Sequence, residues 1–586
     1  MRAGIFAAVL MALCGSAVGG EHADPRTRTY VDPVRIVWTS PAQQEYHAIH
    51  PKVSGAEVLL KPRFGQVPEG LFWDGSGCTL TSVSHLPAGI LLDFGREIHG
   101  GVQIELGASG TRGMKLRIRL GESVAEAMSE LGDRGAQNDH AIRDGVVEVP
   151  ACGAIEFGPS GFRFVRLDLV TSGSVRLEAV RAVSLMRPLV RLGEFRCSDE
   201  RVNAVFETAV RTLHLCCQDF LWDGIKRDRL VWMGDLYPEE STLLSVFGTG
   251  EGAEVLRRTL DYMVATTPPT RGMNMGDPYS MWFVRCFRKY WFRSGDDAYL
   301  RRHASYLAAT CRRLAGLVGQ DGHLSDTLVH PFLDHPTKHN PPAVWAGLQG
   351  LMKLTLEDGA EMLSAAGESE VAEVCRKSLA RLASYRPEPH GSKQAAALLA
   401  LSGLADAKAM LRDVLACRGV EGVSTFYGYY MLEAMSAAGD NRLGLDTLRN
   451  YWGAMLDMGA TSFWEDFRVS WTNDAFRIDE LPVPGKRDIH GDYGEFCYRG
   501  FRHSLCHGWA GGPAAWLIDR VLGIEVVEAG GRAVRVSPNL GDLEWAEGAL
   551  PLPQGLVRVR AERGKDGKLL VKTTAPDGVE VKVVYR

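Results

Sequence analysis

The chain has 586 residues, too many for one compact core and enough for three. Charged residues make up 23% and the hydrophobic set 45%, a balance typical of a globular protein that excludes extended disorder. The 66 basic and 71 acidic residues give a net charge of −5, spread without a block of one sign. A protein that wraps a polyanion needs a basic stripe, so we expect no nucleic-acid partner.

The N-terminus predicts a secretory signal peptide. An apolar run from Ala3 to Ala12 follows Met1-Arg2, and small residues follow from Gly15 to Gly20. The run is too short to span a bilayer, and small residues suit cleavage near Gly20. We therefore expect residues 1–20 to be a leader and the mature protein to be periplasmic or secreted, with no membrane span.

From about residue 30 to 190 the sequence has the pattern of short β-strands. Polar and apolar residues alternate from Lys115 to Leu120 and nearly alternate from Phe162 to Leu167, the period of half-buried strands. Gly and Pro separate these segments. The pattern predicts an N-terminal β-sandwich over residues 21–190.

From about residue 198 to 522 the apolar residues recur at helical spacing. Ser198 is predicted to cap a helix whose apolar residues, from Val202 to Phe220, fall three and four apart. Similar stretches begin near Tyr279, Ala298, Ala343, Glu370, Lys393, Phe426, Arg442 and Ser504. Many amphipathic helices with no strands between them and no repeat of fixed period favour helical hairpins in a toroid, over residues 191–524.

The β pattern returns from residue 525 to 586. Alternating runs from Leu556 to Arg560 and from Val579 to Val584 predict strands, and Gly564 to Gly567 predicts a hairpin turn. We therefore expect a multidomain α and β protein: a central helical toroid flanked by an N-terminal β-sandwich and a small C-terminal β-sandwich.

The cysteines and acidic residues predict no cofactor. Twelve cysteines at irregular spacing do not resemble a disulfide framework, and the absence of CxxC and HExxH motifs argues against structural zinc. We expect no metal at the functional site. A calcium ion in the β-domain is left open, although no acidic loop demands one.

The densest polar and aromatic cluster runs from Trp222 to Asp235. It holds three Asp, three basic residues and two Trp within 14 positions, more than a surface turn needs. One interpretation is a salt-bridged junction between a helix and a loop. The other is a pocket in which basic neighbours and apolar walls keep one carboxyl protonated and another ionised.

Two smaller clusters lie far downstream. Glu465 sits between Trp464 and Asp466 in an otherwise apolar run, and His507 lies in the segment from Ser504 to Pro513. Taken alone, the sequence around Glu465 favours a surface glutamate over a perturbed carboxyl by about two to one. A lone histidine such as the second is more often structural than a ligand.

Together the three clusters resemble the motifs of the α-L-rhamnosidases of glycoside hydrolase family 78, in the same order. Residues 223–235 match the family pattern Asp-x-x-x-Arg-acid-Arg-x-x-Trp-x-x-Asp; Trp464-Glu465 resembles its Trp-Glu motif, and His507 the histidine of Ser-x-x-His. The similarity extends to residues 92–95 and 100–101 near the start, and to 537–538 and 543–546 near the end. It implies a six-hairpin (α/α)6 barrel as the catalytic domain.

The resemblance implies an inverting hydrolysis with Asp228 as general acid and Glu465 as general base, their carboxyls roughly 6.5–9.5 Å apart. The side chains it implies for sugar binding are Asp223, Arg227, Trp232, Asp235, Trp282, Trp464 and His507. Many family members have Glu where this chain has Asp228, which is shorter by one methylene. Either the backbone lies closer to the glycosidic oxygen, or Glu239 or Glu240 supplies the proton.

The function expected from the sequence is release of terminal α-L-rhamnose from an oligosaccharide, a polysaccharide or another glycoside. One alternative keeps the six-hairpin fold and changes the sugar, because fold alone does not choose a substrate. The other is a carbohydrate-binding protein with weakened catalysis, which the shorter Asp228 favours and the retained Glu465 opposes.

Overall fold

The computed structural model describes residues 23–40, 51–60, 77–83, 86–108, 112–274 and 276–585. The predicted signal peptide, residues 1–20, lies outside the described residues. Within them an N-terminal β-domain, a helical barrel and a C-terminal β-domain follow one another, which confirms the predicted fold class.

The N-terminal domain is built on two long strands that are shared by two halves of one sheet. Its strands are β1 (Thr27–Val31), β2 (Arg35–Thr39), β3 (Lys52–Ser54), β4 (Cys78–Ser82), β5 (Ala88–Gly107), β6 (Lys115–Gly121), β7 (Asp144–Glu148), β8 (Gly153–Leu169) and β9 (Gly173–Met186). The path is β3-β4-β9-β5-β8-β6-β7, with β1 on β9 and β2 on β5. Strand β5 pairs with β8 along its length, with β2 in its first part and with β9 in its second. Alternate residues of β5, such as Ile90, Leu92, Val102 and Ile104, are buried in the domain core, as the alternating pattern requires.

The barrel has an inner ring of six helices and an outer ring of six. The helices of the described chain are α1 (Val124–Met128) in the N-terminal domain, then α2 (Glu200–Cys216), α3 (Leu236–Val246), α4 (Glu251–Thr266), α5 (Asp277–Ser294), α6 (Asp297–Ala315), α7 (Pro341–Ala366), α8 (Ser369–Leu382), α9 (Lys393–Leu401), α10 (Ala407–Met410), α11 (Gly428–Ala437), α12 (Asn441–Asp457) and α13 (Pro513–Trp516). Helices α3, α5, α7, α9, α11 and α13 contact one another in this order, and α13 contacts α3. The ring therefore closes, as the predicted toroid requires.

Eight predicted helix starts lie within two residues of the observed ones. Helices α3, α4 and α10 were not predicted; α3 is buried on every side, so its sequence has no apolar stripe. The start predicted near Ser504 is wrong, because a single tight turn at Gly508–Gly511 precedes α13.

The cap of the first barrel helix differs from the prediction by one residue. Asp199, and not Ser198, accepts hydrogen bonds from the backbone N–H groups of Arg201 (2.8 Å) and Val202 (3.2 Å). The hydroxyl of Ser198 instead accepts from the backbone N–H of Glu544, at 3.0 Å. The cap prediction was wrong because both residue types suit the position and only the chain path decides between them.

The C-terminal domain consists of two small sheets. The remaining strands are β10 (Glu194–Cys197), β11 (Ala475–Phe476), β12 (Arg487–Asp488), β13 (Ile524–Val526), β14 (Ala533–Val536), β15 (Trp545–Leu552), β16 (Gly555–Arg563), β17 (Leu569–Thr574) and β18 (Glu580–Val583). One sheet has the order β10-β15-β16-β17 and the other β13-β14-β18, and the predicted turn joins β16 to β17. Strand β10 lies inside the range predicted for the barrel, yet pairs with β15. Within the described part, no helix is long and apolar enough to cross a bilayer.

Replacing the helix cap tests this account of the barrel's first helix. We expect Asp199→Ala to lower the unfolding free energy by about 1 kcal/mol, because two N–H groups at the start of α2 lose their acceptor. The same change frees Nε of Arg449, which donates to Asp199 at 2.7 Å. In thermal unfolding, Ser198→Ala should lower the Tm less. An equal or larger fall in Tm for Ser198→Ala would indicate that Ser198 caps the helix.

Candidate active site

The three sequence clusters meet where the inner helices begin. Residues 223–235 lead from α2 directly into α3, while Glu465 and His507 lie in the long segment between α12 and α13. The backbone of Gly224 pairs with that of His507, and the N–H of Gly508 donates to the carbonyl of Asp223 at 2.7 Å. Asp235 lies at the N-cap of α3, whose positive end favours negative charge.

His507 stands at the centre of this group. Its Nε2 atom is 3.7 Å from Oδ2 of Asp223, 3.9 Å from Oδ2 of Asp235 and 3.8 Å from Oε1 of Glu465. These four side chains are only 2–5% exposed. The structure therefore brings together predicted residues that are up to 284 positions apart, from Asp223 to His507.

Arg227 connects the predicted acid to the predicted base. Its Nε lies 3.1 Å from Oδ1 of Asp228, and its Nη1 lies 3.3 Å from Oε2 of Glu465. A single guanidinium therefore bridges the two carboxyl oxygens. The separation of these oxygens stays below the upper end of the roughly 6.5–9.5 Å used in inverting hydrolysis. Burial alone would lower the pKa of Arg227, but the charges of Glu465 and Asp228 outweigh it and raise that pKa.

Backbone N–H groups fix two of the carboxylates. Asp223 accepts from the N–H of Asp228 through Oδ2 (2.9 Å) and from that of Leu230 through Oδ1 (3.0 Å). Glu465 accepts from the N–H of Ser504 at 2.9 Å. Bonds from N–H groups to a charged carboxylate are among the stronger hydrogen bonds of proteins, so both side chains are held in one orientation.

Two other acids lack such partners. Oδ1 of Asp235 and Oε1 of Glu239 are buried and have no hydrogen-bond partner among the described residues. Burial, with the charges of Asp223 and Glu465, raises the pKa of Asp235 well above its ordinary value. Burial, with the charges of Asp235 and Asp223, does the same to the pKa of Glu239. Burial therefore favours the neutral form of both of these carboxyls.

Asp228 is the most exposed acid of this group, which indicates that it borders the mouth of the site. Its side chain is 18% exposed, several times more than those of the acids behind it. Glu239 is covered by Gly508, where an added Cβ atom would collide with its carboxyl. Glu240 faces Lys289 and Cys286 inside the barrel, where burial raises its pKa to about 8. Of the three candidate acids, Asp228 is the one placed at the opening.

An aromatic wall runs along one side of these acids. Its members and successive ring-centroid distances are Trp232–Tyr279 (6.1 Å), Tyr279–Phe332 (6.3 Å), Phe332–His335 (5.1 Å), His335–Tyr498 (4.9 Å) and Tyr498–Trp509 (6.2 Å). Trp509 lies against His507, with ring centroids 4.0 Å apart. Trp232 is partly exposed, which suits its predicted role.

The other two predicted tryptophans lie deeper. Trp282 is 2% exposed and stacks on Tyr430 at 4.8 Å, and Trp464 is 1% exposed and packs against Phe467 at 5.4 Å. The structure places both behind the pocket surface. Their contact with a sugar stays a prediction.

Several residues of this region carry no signal in the sequence. Tyr279 and Trp509 read as core aromatics, and His140 lies in a polar loop of the N-terminal domain, yet its ring is 3.3 Å from Asp228. A contact between two domains leaves no periodic pattern in either segment.

Two groups of side chains have the geometry of a cation site. Asp223, Asp235 and His507 each place one ligand atom within 4.8 Å of the others, as do Glu122, Glu126 and His490. In the second group the ammonium of Lys226 already lies 2.9 Å from Glu122 and 3.2 Å from Glu126. That buried cation supplies the charge a metal would bring. The absence of a metal from the pocket stays a prediction.

Comparison with known proteins supports the motif assignment. Residues 190–338 match the family model of the bacterial alpha-L-rhamnosidase 6 hairpin glycosidase domain, and residues 523–585 match that of the bacterial alpha-L-rhamnosidase C-terminal domain. No curated protein matches the chain. The resemblance to α-L-rhamnosidases inferred from the three clusters is confirmed, and the chain carries a glycoside hydrolase domain.

Solved rhamnosidase structures share the fold. A GH78 rhamnosidase of Bacillus sp. GL1 aligns with TM-score 0.72 and 22% identity over 91% of this chain and 55% of its own. The Klebsiella oxytoca rhamnosidase with rhamnose bound aligns with TM-score 0.66 and 19% identity over 85% of this chain and 96% of its own. Streptomyces avermitilis alpha-L-rhamnosidase complexed with L-rhamnose aligns with TM-score 0.64 and 17% identity over 86% of this chain and 50% of its own. This chain spans little more than half the length of the Bacillus protein.

The burial of Asp235 predicts that the site is less stable than it could be. Because its pKa is raised on folding, the folded chain binds more protons than the unfolded one, and the unfolding free energy falls as the pH rises above the ordinary value of about 3.9. We expect Asp235→Asn to raise the Tm by about 2 °C or more at pH 7 and to make little difference near pH 4.

Asp223→Asn is the matched control for that experiment. Both oxygens of Asp223 accept backbone N–H groups, and an amide would turn a donor toward one of them. We expect this variant to lower the Tm at pH 7. A fall in Tm for Asp235→Asn as well would contradict the proposed cost of burying that carboxyl.

Proposed function

We propose that this chain hydrolyses terminal α-L-rhamnosides by an inverting mechanism, with Asp228 as general acid and Glu465 as general base. The observation that carries this proposal is the pairing of one buried guanidinium, that of Arg227, with both carboxyls. The matched glycosidase domain supports the reaction class, and the motif resemblance supports the sugar.

Glu465 has the surroundings that a general base needs. Its carboxylate accepts from the N–H of Ser504 and pairs with Arg227, and both interactions hold it in one orientation. In the proposed step Glu465 takes a proton from a water molecule, whose oxygen bonds to the anomeric carbon from the face opposite the leaving group.

Asp228 has the position that a general acid needs. As the C–O bond breaks, the protonated carboxyl gives its proton to the glycosidic oxygen, and the aglycone leaves as an alcohol. Because Asp228 lies at the mouth and the other acids lie behind it, the leaving group points out of the pocket. This arrangement supports removal of a terminal residue. The N–H bond to Asp223 fixes the backbone of Asp228, which suits its shorter side chain.

The remaining groups suit a deoxy sugar. Oδ1 of Asp235 and Nδ1 of His507 have no hydrogen-bond partner among the described residues, so both are available to sugar hydroxyls. The partly exposed ring of Trp232 offers apolar surface for the methyl group of rhamnose. We propose a rhamnose-containing oligosaccharide, polysaccharide or glycoside as the substrate. The leader predicted at residues 1–20 supports a periplasmic or secreted protein.

A panel of p-nitrophenyl glycosides tests the proposal. We expect the α-L-rhamnoside to be hydrolysed at least about tenfold faster than the α-L-fucoside, α-D-mannoside and α-D-glucoside. A sugar that lacks a matching hydroxyl leaves a buried polar group of the site without a hydrogen bond, which slows its hydrolysis. Proton NMR should show β-L-rhamnose as the first product, as inversion requires. Preference for another sugar would favour a six-hairpin glycosidase of different specificity. Rhamnose binding without turnover would favour a carbohydrate-binding protein.

In the same assay, Glu465→Gln should lower kcat by about 10²–10⁴, because an amide cannot take a proton from water. Rhamnose binding, measured by calorimetry, should change little. Glu373→Gln on the exposed face of α8 is the control and should match the unaltered protein. Unchanged turnover in Glu465→Gln would remove Glu465 from the mechanism.

We also propose that the reaction uses no metal. Dialysis against EDTA is expected to leave kcat within about twofold, because side chains alone supply the acid and the base of this mechanism. A loss of activity that added Zn²⁺ or Ca²⁺ restores would contradict this and point to the group formed by Asp223, Asp235 and His507.

A further inference from the structure

A loop of the N-terminal β-domain reaches the mouth of the pocket. This loop, residues 129–143 between α1 and β7, carries His140, whose Nδ1 is 3.2 Å from the backbone carbonyl oxygen of Asp228. Its Nε2 is 3.3 Å from Oδ1 of the same residue and 3.3 Å from Oδ2 of Asp139. The side chain is 24% exposed, so it borders both solvent and the proposed acid.

The loop is anchored on both sides of His140. The side chain of Asn138 accepts from the N–H of Arg143 at 3.0 Å and donates to the carbonyl of Asp144 at 2.9 Å. Asp139 pairs with Arg502 of the barrel. These contacts hold the imidazole against Asp228 without help from a ligand.

Both nitrogens of His140 face oxygen atoms that accept hydrogen bonds. Nδ1 makes a hydrogen bond to the carbonyl oxygen of Asp228, whereas Nε2 lies within ion-pair distance of the carboxyls of both Asp228 and Asp139. The carboxyls of Asp139 and Asp228 face the ring, and Arg502 and Arg227 pair with them in turn. Among the described residues, no other titratable group contacts the ring.

The closest contacts to the carboxyl of Asp228 converge on one oxygen. Arg227 and His140 both approach Oδ1, at 3.1 Å and 3.3 Å. In a protonated carboxyl one oxygen accepts hydrogen bonds and the other carries the proton. Donors gathered at Oδ1 make it the accepting oxygen, which leaves Oδ2 to carry the proton.

We propose that His140 is a positioning residue for the proposed acid: it holds Asp228 so that Oδ2 presents its proton to the glycosidic oxygen. This rests on the proposed function. This role also compensates for the shorter side chain of aspartate. A carboxyl closer to the backbone reaches the glycosidic oxygen from fewer rotamers, so its rotamer has to be fixed.

A series of α-L-rhamnosides with different leaving groups tests this role. Proton donation matters most for a poor leaving group, such as a methyl or sugar alcohol, and least for 2,4-dinitrophenol. We expect His140→Ala to lower kcat at least about tenfold with poor leaving groups and about twofold or less with dinitrophenol, a fraction of what general acid catalysis contributes. Rhamnose affinity should stay within about twofold, since His140 lies outside the sugar-binding acids.

Conservative variants separate the two contacts. The amide nitrogen of His140→Asn reaches about as far as Nδ1, so it retains the bond to the carbonyl. That of His140→Gln reaches about as far as Nε2, so it retains the contact with the carboxyl. We expect His140→Gln to retain activity on rhamnosides with poor leaving groups and His140→Asn to lose it. Ile142→Ala in the same loop, where the side chain is 51% exposed, is the control for loop disturbance and should match the unaltered protein.

Each outcome decides the matter. An equal loss for all leaving groups, or no loss, would overturn the proposed role of His140, and so would a loss of the same size in Ile142→Ala. Asp228→Asn should show the same dependence on the leaving group, with a larger effect. Absence of turnover by the unaltered protein with every rhamnoside would instead remove the proposed function, and this inference with it.

Discussion

The crowding of carboxyl groups in a pocket that solvent hardly reaches governs the rest of this site. Like charges at such distances cannot all persist without compensation. Arg227 and backbone N–H groups compensate Asp223, Asp228 and Glu465, whereas Asp235 has no comparable partner and its pKa rises. Arg227 and the backbone N–H groups thereby orient the proposed acid and base, while burial favours the neutral form of Asp235.

Adjacent basic residues extend this compensation across the domain boundary. Arg227 turns toward Glu465, whereas Lys226 pairs with Glu122 and Glu126 of the N-terminal domain. Glu122 also accepts from the N–H of Leu505, next to the Ser504 N–H that binds Glu465. The N-terminal domain therefore fixes the backbone at Ser504 and Leu505, and this backbone in turn orients the proposed base Glu465. Removing a partner from such a buried network leaves a charge uncompensated, which costs several kcal/mol.

The sequence revealed features that repeat along the chain or lie within one motif. Starts such as that of α8 near Glu370 were predicted because a helix buried on one side keeps an apolar stripe, and α3 was missed because it is buried on all sides. Asp228 and Glu465 were found through motifs. His140 and the pairing of β10 with β15 were not, because contacts between distant segments depend on how domains pack and leave no local pattern.

The unpartnered atoms of the pocket follow from the same crowding. A buried polar atom without a hydrogen bond costs about 1–3 kcal/mol, so Oδ1 of Asp235 and Nδ1 of His507 destabilise the ligand-free protein. Sugar hydroxyls both donate and accept, so a bound sugar can satisfy a neutral carboxyl and an imidazole alike. The ring face of Trp232, on the aromatic side, offers an apolar surface that suits a methyl group better than a hydroxyl. Polar atoms without partners on one side and an aromatic wall on the other thus support the proposed substrate, a ring that is hydroxylated on one face and deoxygenated at one carbon.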